Sequence, residues 1–292
     1  MSVTSFMIRR SFRRSDNKRD AGLTTPADVR RYDTIPYGSN RRWQVLDVYR
    51  PKDRQEALPV IVSVHGGGWV YGDKEAYQYY CMSLAQQGFA VVNFTYRLAP
   101  EFKFPASLED TNLVFHWVLE HAKDYGFDPA HIFAVGDSAG AHLLGLYSCF
   151  CTNPAYAARF AFQPPVGFAP TGVALNCGVY EIRLREKHDL TTRLMADLLP
   201  HKGSSEELEA ISVLHNATEK FPPSFVMTAS GDFLREAAPP LVERLEVLGV
   251  PVTYRLYGDE QNKLGHVFHC NVRSEDGRRC NTDECSFFRS LM

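Results

Sequence analysis

The stretch from His131 to Cys151 decides the fold of this chain; its sequence is HIFAVGDSAGAHLLGLYSCFC. The run His131–Val135 is short and apolar and contains β-branched residues, which is typical of a buried strand. A glycine-rich turn, Gly136–Gly140, follows, and residues 140–151 are apolar enough for a buried helix. This window is the most apolar long segment of the chain, but its aspartate and its glycine-rich turn favour a buried strand and a buried helix over a membrane span. We therefore predict a strand, a sharp turn that presents Ser138, and a helix.

Strands and helices alternate on both sides of this stretch. Helical patterns cover residues 108–119 and a segment from 239 or 240 to 248, which has proline in its first turn and Gly249 after its end. The remaining strand patterns are short and apolar; they lie at residues 42–49, 59–64, 89–94, 171–177, 224–229 and 252–257. Such alternation predicts an α/β fold with a mostly parallel sheet and helices on both faces.

Composition limits the classes of protein that are compatible with the sequence. The chain has 292 residues, of which 45% are hydrophobic and 23% charged, as expected for one globular domain. A formal net charge of −2 argues against nucleic acid or an anionic membrane as partner. Seven cysteines, an odd number in mostly apolar surroundings, indicate reduced thiols. Without an apolar signal-peptide core, a cytoplasmic location is predicted.

The first 30 residues are treated separately from the α/β domain, which we place at residues 31–292. Four arginines, several serines and no acid occupy the first fifteen positions. This composition predicts a solvated basic tail or a part of a cap, with an organelle transit peptide as the alternative.

Residues 181–215 interrupt the alternation. Ser204 and Glu207 have the spacing of a capping box at a helix start, and an apolar stripe precedes them, formed by Leu190, Leu194, Leu198 and Leu199. We predict a small helical cap over the carboxyl edge of the sheet. Helical connectors without a function are the alternative.

Two glycine-containing motifs follow predicted strands. Gly136–Gly140 matches G-x-S-x-G, in which the serine sits on a sharp turn as a nucleophile. His65–Gly68 (HGGG) is far rarer by chance, and its glycines free backbone N–H groups to converge on one point. Such donors stabilise the oxyanion that forms when a carbonyl is attacked. We predict an oxyanion hole built from the N–H groups of Gly67, Gly68 and Ala139.

A serine nucleophile needs a base and a carboxylate that orients the base. In this type of fold the chain order is serine, acid, histidine. Asp232 follows the strand that ends at residue 229, and His266 lies in the loop after the strand that ends near residue 257. We predict these two residues as the acid and the base. His269 remains an alternative base, and Glu236 and Asp259 remain alternative acids.

Together these motifs resemble the hormone-sensitive-lipase-like family of carboxylesterases, which have the α/β-hydrolase fold. The resemblance runs from about Tyr32 to the C-terminus, and it lies in HGGGW (65–69), YRLAPE (96–101), GDSAG (136–140), DFLRE (232–236) and HVF (266–268). It implies a cap made from the N-terminal segment and an insertion. It also implies hydrolysis of short-chain acyl esters by Ser138, Asp232 and His266, without a metal or cofactor.

Several neighbouring residues have two interpretations. Trp69 and Tyr71 either line the substrate pocket or pack in the core. Arg97 and Glu101 either pair with each other or brace the loops around the site, and Asp137 supports the turn rather than acting as a second acid. A zinc site near the C-terminus, formed by Cys270, Cys280 and Cys285 beside His269, is the weakest alternative because no Cys-x-x-Cys pair supports it.

The expected activity is that of a serine carboxylesterase on a small ester, and acetylated or feruloylated carbohydrates are included among its substrates. An amide or arylformamide hydrolase is the enzymatic alternative. A ligand receptor of the same fold without catalysis is the other alternative, which the presence of His266 disfavours. Monomer and homodimer both stay open.

Overall fold

The structure is a computed structural model that describes residues 2–184 and 189–292. Within these ranges a single sheet of eight strands runs in the order β1-β2-β4-β3-β5-β6-β7-β8. In chain order the strands are β1 (Val29–Pro36), β2 (Val45–Pro51), β3 (Leu58–Val64), β4 (Ala90–Thr95), β5 (Phe127–Asp137), β6 (Gly172–Asn176), β7 (Ser224–Ala229) and β8 (Val252–Tyr257).

Helices connect and cover these strands. In chain order they are α1 (Val3–Asp20), α2 (Lys74–Ala85), α3 (Ala106–Glu120), α4 (Ala122–Tyr125), α5 (Ala139–Thr152), α6 (Pro154–Ala157), α7 (Leu190–Leu198), α8 (Ser205–Ala210), α9 (Val213–Asn216), α10 (Ala238–Val247) and α11 (Glu275–Arg289). Short 3₁₀ turns lie at Arg235–Ala237 and Phe268–Cys270.

The predicted mostly parallel sheet is confirmed. The six strands from β3 to β8 are parallel: β3 pairs with both β4 and β5, and β5, β6, β7 and β8 then pair in succession. Two pairs are antiparallel, β1 with β2 and β2 with β4. Side chains alternate between two apolar layers: Val60 and Val62 of β3 contribute to one layer and Ile61 to the other. Helices therefore cover both faces, with α5 in the first layer and α2 and α11 in the second.

Helix α1 occupies the N-terminal segment that the sequence predicts to be a basic tail. The Ser2 side chain caps its start, and the hydroxyl groups of Ser2 and the buried Ser5 both donate to the carboxylate of Asp197 in α7. Further along the helix, Arg9 forms two hydrogen bonds with Glu101, at 2.9 and 2.6 Å. Residues 3–20 thus differ from a solvated tail, because specific partners hold them against the rest of the fold.

The segment predicted as an insertion contains helices α7, α8 and α9; residues 185–188 of it lie outside the described residues. The predicted capping box is confirmed, since the Ser204 side chain accepts from the Glu207 N–H while the Glu207 carboxylate accepts from the Ser204 N–H. Helix α7 lies beside the glycine loop, where a Cβ added to Gly68 would sit 3.7 Å from a methyl carbon of Leu194.

All seven cysteines are free thiols, and six of them are buried. Cys280 and Cys285 lie on the inner face of α11 and pack in the apolar layer beneath the sheet. Among the described residues, none of the helices combines the length and the apolar character that crossing a membrane requires.

Candidate active site

Ser138 sits between β5 and α5 in a conformation that few residues adopt. Its φ is 53° and its ψ is −119°, which place the side chain at the apex of a sharp turn. The glycines on either side are required by close contacts: a Cβ on Gly136 would lie 2.6 Å from the Gly140 oxygen, and one on Gly140 would lie 2.1 Å from the Val64 oxygen. The G-x-S-x-G pattern is therefore a consequence of packing against β3 and α5.

A chain of hydrogen bonds joins the three residues predicted as nucleophile, base and acid. His266 Nε2 lies 3.0 Å from Ser138 Oγ, and His266 Nδ1 lies 2.8 Å from Asp232 Oδ1. The three side chains come from loops that follow β5, β7 and β8, and these strands all end at the same edge of the sheet. The structure thus brings together residues that lie 94 and 34 positions apart along the chain.

Asp232 is held as an ionised acceptor. Its side chain is fully buried, and its Oδ1 also accepts a hydrogen bond from the Leu234 N–H at 2.8 Å. Burial acts to raise the pKa of Asp232, but the hydrogen bond from His266, the attraction to this histidine when it is protonated, and the hydrogen bonds from Cys177 and the Leu234 N–H together outweigh it, so the pKa lies below its ordinary value. An ionised Asp232 keeps the proton of the neutral histidine on Nδ1 and leaves Nε2 free to accept a proton.

The alternative acids and base lie elsewhere. His269 is completely buried, its ring contacts Tyr80 edge-on, and burial lowers its pKa to about 3. Glu236 pairs with its neighbour Arg235, and the Asp259 carboxylate accepts from backbone N–H groups of its own turn. In the structure His266 and Asp232 hold the positions beside Ser138.

Cys177, which the sequence analysis did not single out, lies next to this chain of hydrogen bonds. It follows β6 directly, with a φ of 48°, and its buried thiol interacts with the Asp232 carboxylate. Burial first, and the charge of Asp232 second, raise the pKa of the thiol well above its ordinary value. No sequence motif marks a cysteine at the end of a strand. The position of Cys177 beside Asp232 becomes visible only from the pairing of β6 with β7.

Within residues 2–184 and 189–292, one group of three or more His, Cys, Asp and Glu residues has donor atoms close enough to share a metal ion, and it consists of Cys177, Asp232 and His266. The predicted C-terminal alternative has only a pair of neighbours: Cys270 Sγ lies 3.7 Å from His269 Nε2. Cys280 and Cys285 pack in the apolar layer instead. The described residues therefore do not assemble the C-terminal zinc site.

The glycine loop lies opposite the serine turn. Gly67 has a φ of 117°, and a Cβ there would lie 2.1 Å from the Tyr71 carbonyl oxygen, so a side chain is excluded. The Asp137 carboxylate links the two motifs, because it accepts from the Gly66 N–H at 3.2 Å and from the Tyr77 hydroxyl at 2.8 Å. Asp137 thus supports the turn, as the sequence predicts.

The two aromatic residues after the glycines have different environments. Trp69 is 8% exposed, belongs to the apolar core and donates its indole N–H to His142 Nδ1 at 3.2 Å. Tyr71 lies at the surface of the cavity over Ser138, and its hydroxyl donates to Asp16 at 2.8 Å. Of the two predicted pocket residues, Tyr71 lines this cavity and Trp69 packs in the core.

The cavity over Ser138 has a volume of about 290 Å³. Helix α1 forms one wall with Phe12, Asp16 and Arg19, and the exposed ring of Phe233 lies 4.4 Å from the His266 ring on the other side. Burial raises the pKa of Asp16, while the charge of Arg19 opposes this effect. The wall from α1 combines an aromatic ring with two charged groups. The resemblance implied that the N-terminal segment takes part in a cap, but the sequence analysis did not single out these three residues.

Arg97 and Glu101 brace loops rather than pair with each other. The Arg97 guanidinium binds the fully buried carboxylate of Asp110 at 2.7 Å and that of Glu109 at 2.7 Å. Glu101 instead binds Arg9 of helix α1 at 2.6 Å. The second of the two sequence interpretations is therefore the one that the structure shows.

Comparison with known proteins agrees with this architecture. A family model described as alpha/beta hydrolase fold matches residues 61–270. A solved structure of esterase B from Lactobacillus rhamnosis superposes with a TM-score of 0.89 at 26% identity, and the match covers 99% of this chain and 97% of that one.

Curated relatives give the same result. Esterase LipQ of Mycobacterium tuberculosis is 30% identical over 75% of this chain and 55% of its own length. Carboxylesterase NlhH of the same organism is 31% identical over 70% of this chain and 66% of its own length. The chain spans about half to two thirds of the length of these two relatives. It belongs to the α/β-hydrolase fold family, and the predicted hormone-sensitive-lipase-like resemblance is confirmed.

Proposed function

We propose that this protein is a serine ester hydrolase that works through an acyl-enzyme intermediate. The observation that supports the proposal is the hydrogen-bonded chain from Ser138 Oγ through His266 to Asp232, with both distances at or below 3.0 Å. This is the geometry in which a histidine removes the proton of a serine hydroxyl as that hydroxyl attacks a carbonyl.

The proposed reaction proceeds in two halves. Ser138 Oγ attacks the ester carbonyl carbon while His266 Nε2 takes its proton, and the same nitrogen then returns the proton to the departing alcohol. Water repeats the sequence on the acyl-serine and releases the acid. The ionised Asp232 holds the imidazole in position and stabilises its positive charge in each half.

The oxyanion would be bound by backbone N–H groups. Ala139 is the first residue of α5, and the amide groups of the first turn of a helix have no partner within the helix. We assign it this role together with Gly67 and Gly68, whose positive φ values are ones that glycine adopts without strain. Such donors contribute about 3–4 kcal/mol of transition-state stabilisation each.

We propose short acyl chains as substrates, because the cavity over Ser138 holds about 290 Å³. A solved structure of the similar esterase B is described as a complex with an inhibitor, a C4-C4 tributyrin phosphonate. Four-carbon chains are short acyl chains of the kind proposed here. Asp16 and Arg19 on the cavity wall could bind hydroxyl groups of an alcohol part, and this supports acetylated or feruloylated carbohydrates as one class. Assays that compare acyl lengths, and then sugar acetates, would separate these choices.

We also propose that α1 and the segment 181–215 together form the cap. The bonds from Ser2 and Ser5 to Asp197 join α1 to α7, and Phe12 and Asp16 of α1 line the catalytic cavity. A cytoplasmic location is proposed in addition, because seven free thiols suit a reducing compartment.

The test of the proposal is the variant Ser138→Ala assayed with p-nitrophenyl acetate. We expect kcat to fall by a factor of about 10⁴ or more and labelling by a fluorophosphonate probe to disappear. Ser286→Ala, an exposed serine on α11, is the matched control and should behave as wild type. Equal rates for Ser138→Ala and wild type would refute the assignment of the nucleophile.

The same assay series addresses the two alternatives. Faster turnover of an arylformamide than of the matched aryl ester would favour the amide hydrolase. A protein that binds small ligands but forms no covalent adduct with the probe would be a receptor, although the placement of His266 beside Ser138 argues against it.

A further inference from the structure

Cys177 and Asp232 both lie just beyond the ends of neighbouring parallel strands. Strand β6 pairs in parallel with β7, Cys177 follows β6 directly and Asp232 lies three positions beyond β7. Their side chains meet beneath His266, and one donor atom from each of the three residues lies within 4.8 Å of the other two. A thiol is thus present at the buried end of the hydrogen-bonded chain.

These three donors are the types that zinc prefers. Cysteine sulfur, histidine nitrogen and carboxylate oxygen bind Zn²⁺ at about 2.0–2.3 Å, so two donors on one tetrahedral ion lie about 3.5 Å apart. Donors already within 4.8 Å of one another need movements of about 1 Å to share an ion. A thiolate and a carboxylate also cancel the charge of a divalent ion, which a buried site requires.

A fourth group favours thiophilic metals over hard ones. The Met227 thioether sulfur lies 3.9 Å from Cys177 Sγ. Sulfur donors select zinc and other soft or borderline ions, whereas Mg²⁺ prefers a shell of oxygen ligands. The surroundings of Cys177 therefore discriminate between cations of equal charge.

We propose that Cys177, Asp232 and His266 form an inhibitory binding site for a thiophilic divalent cation such as Zn²⁺. The inference rests on the proposed function, because the inhibited reaction is the proposed ester hydrolysis. On binding, the Cys177 thiol releases its proton to solvent and the sulfur bonds to the metal. The metal takes the place of the proton on His266 Nδ1, and that proton moves to Nε2, so one proton is released in all. With Nε2 protonated, His266 no longer accepts the proton of Ser138.

The first experiment measures inhibition of p-nitrophenyl acetate hydrolysis by Zn²⁺, with the rate of each variant expressed relative to its own zinc-free rate. We expect inhibition of wild type that a chelator reverses, and no inhibition by Mg²⁺. In Cys177→Ala the zinc concentration for half-inhibition should rise by about tenfold or more. Cys151→Ala, a half-buried thiol on α5, is the matched control and should keep the wild-type value. Equal zinc sensitivity of Cys177→Ala and wild type would overturn the proposal.

The second experiment reads the site without catalysis. In Ser138→Ala all three ligands remain, and Co²⁺ should produce a thiolate-to-cobalt charge-transfer band in the near ultraviolet. The double variant that also carries Cys177→Ala should lack this band, and Cys177→Ser serves in its place if circular dichroism shows that the alanine variant is unfolded. Absence of the band in Ser138→Ala would refute the metal site even if ester hydrolysis is established. If the band is present but the wild-type protein hydrolyses no ester, the proposed ester hydrolysis is refuted and the metal site stands.

Discussion

Glu284 provides a quantitative test of how a buried carboxylate affects stability. It lies on α11 with no exposed surface, accepts a hydrogen bond from the Tyr80 hydroxyl at 2.9 Å and another from Asn176 Nδ2 at 2.6 Å. Neither partner is a cation. Burial therefore raises the pKa of Glu284 to about 7, from an ordinary value of 4.5, against the opposing effect of the two hydrogen bonds.

The sign of the effect on stability follows from proton binding. The folded state holds the Glu284 proton up to about pH 7, whereas the unfolded state releases it near 4.5. This contribution to stability is complete below pH 4.5 and is lost as the pH rises through 7. At about 1.4 kcal/mol for each pH unit in the interval, the loss amounts to about 3 kcal/mol.

The perturbation is Glu284→Gln, which imitates the protonated acid. Its oxygen can accept from Asn176 while its NH₂ group donates to the Tyr80 oxygen. We expect the unfolding free energy of the variant, relative to wild type, to increase by about 2–3 kcal/mol between pH 5 and pH 8. Urea denaturation followed by circular dichroism measures this difference. Taking the difference also removes the contributions of buried groups that do not interact with Glu284.

The control is Glu275→Gln, which changes an exposed acid on the same helix and should leave the pH dependence of wild type unaltered. The reasoning is refuted if the unfolding free energy of Glu284→Gln parallels that of wild type at every pH. That result would mean that the Glu284 carboxylate is ionised in the folded protein without loss of stability.

Three further variants test the loops around Ser138. In Gly140→Ala the new Cβ would lie 2.1 Å from the Val64 oxygen; the displaced turn should lower kcat about 100-fold or more, and an unchanged kcat would contradict this. Arg97→Ala leaves the buried Asp110 carboxylate without its cation, which should lower the unfolding free energy by about 3–5 kcal/mol in urea; a loss under 1 kcal/mol would oppose it. Phe233→Ala removes a ring that is 77% exposed, so stability should change by less than about 0.5 kcal/mol, while kcat/KM for p-nitrophenyl butyrate falls severalfold because the ring borders the cavity; equal kcat/KM values would exclude that role.

Local pattern predicted the central part of the fold. The strand, turn and helix around Ser138 are encoded within the 21 residues 131–151. Chain order required an acid and then a histidine, and the positions just after predicted strands favoured Asp232 and His266, which the structure places beside Ser138. By contrast, β1 was missed because its sequence, VRRYDTIP, is polar and gives no apolar run. It is one of the two edge strands of the sheet, so among the described residues it pairs with a strand on one side only.

Features that depend on contacts between distant segments could not be predicted. Nothing within residues 3–20 indicates that Ser5 is buried against Asp197, or that Asp16 meets the Tyr71 hydroxyl. These contacts hold the arginine-rich segment in place as one wall of the cavity over Ser138. Trp69 shows the opposite case: its position beside the glycines suggested a pocket residue, and a buried hydrogen bond to His142 keeps it in the core.

The buried acids behind Ser138 connect stability with the proposed chemistry. Glu284 binds Asn176, whose carbonyl oxygen accepts the Ser138 N–H at 2.9 Å, so α11 supports the strained turn from below. The Asp137 carboxylate is close enough to His266 for the two charges to attract each other. In the proposed reaction His266 becomes positive when it takes the serine proton, and an ionised Asp137 would stabilise that charge. Burial of Asp137 would then cost free energy in the resting protein and lower the energy of the transition state, which is where interactions accelerate a reaction.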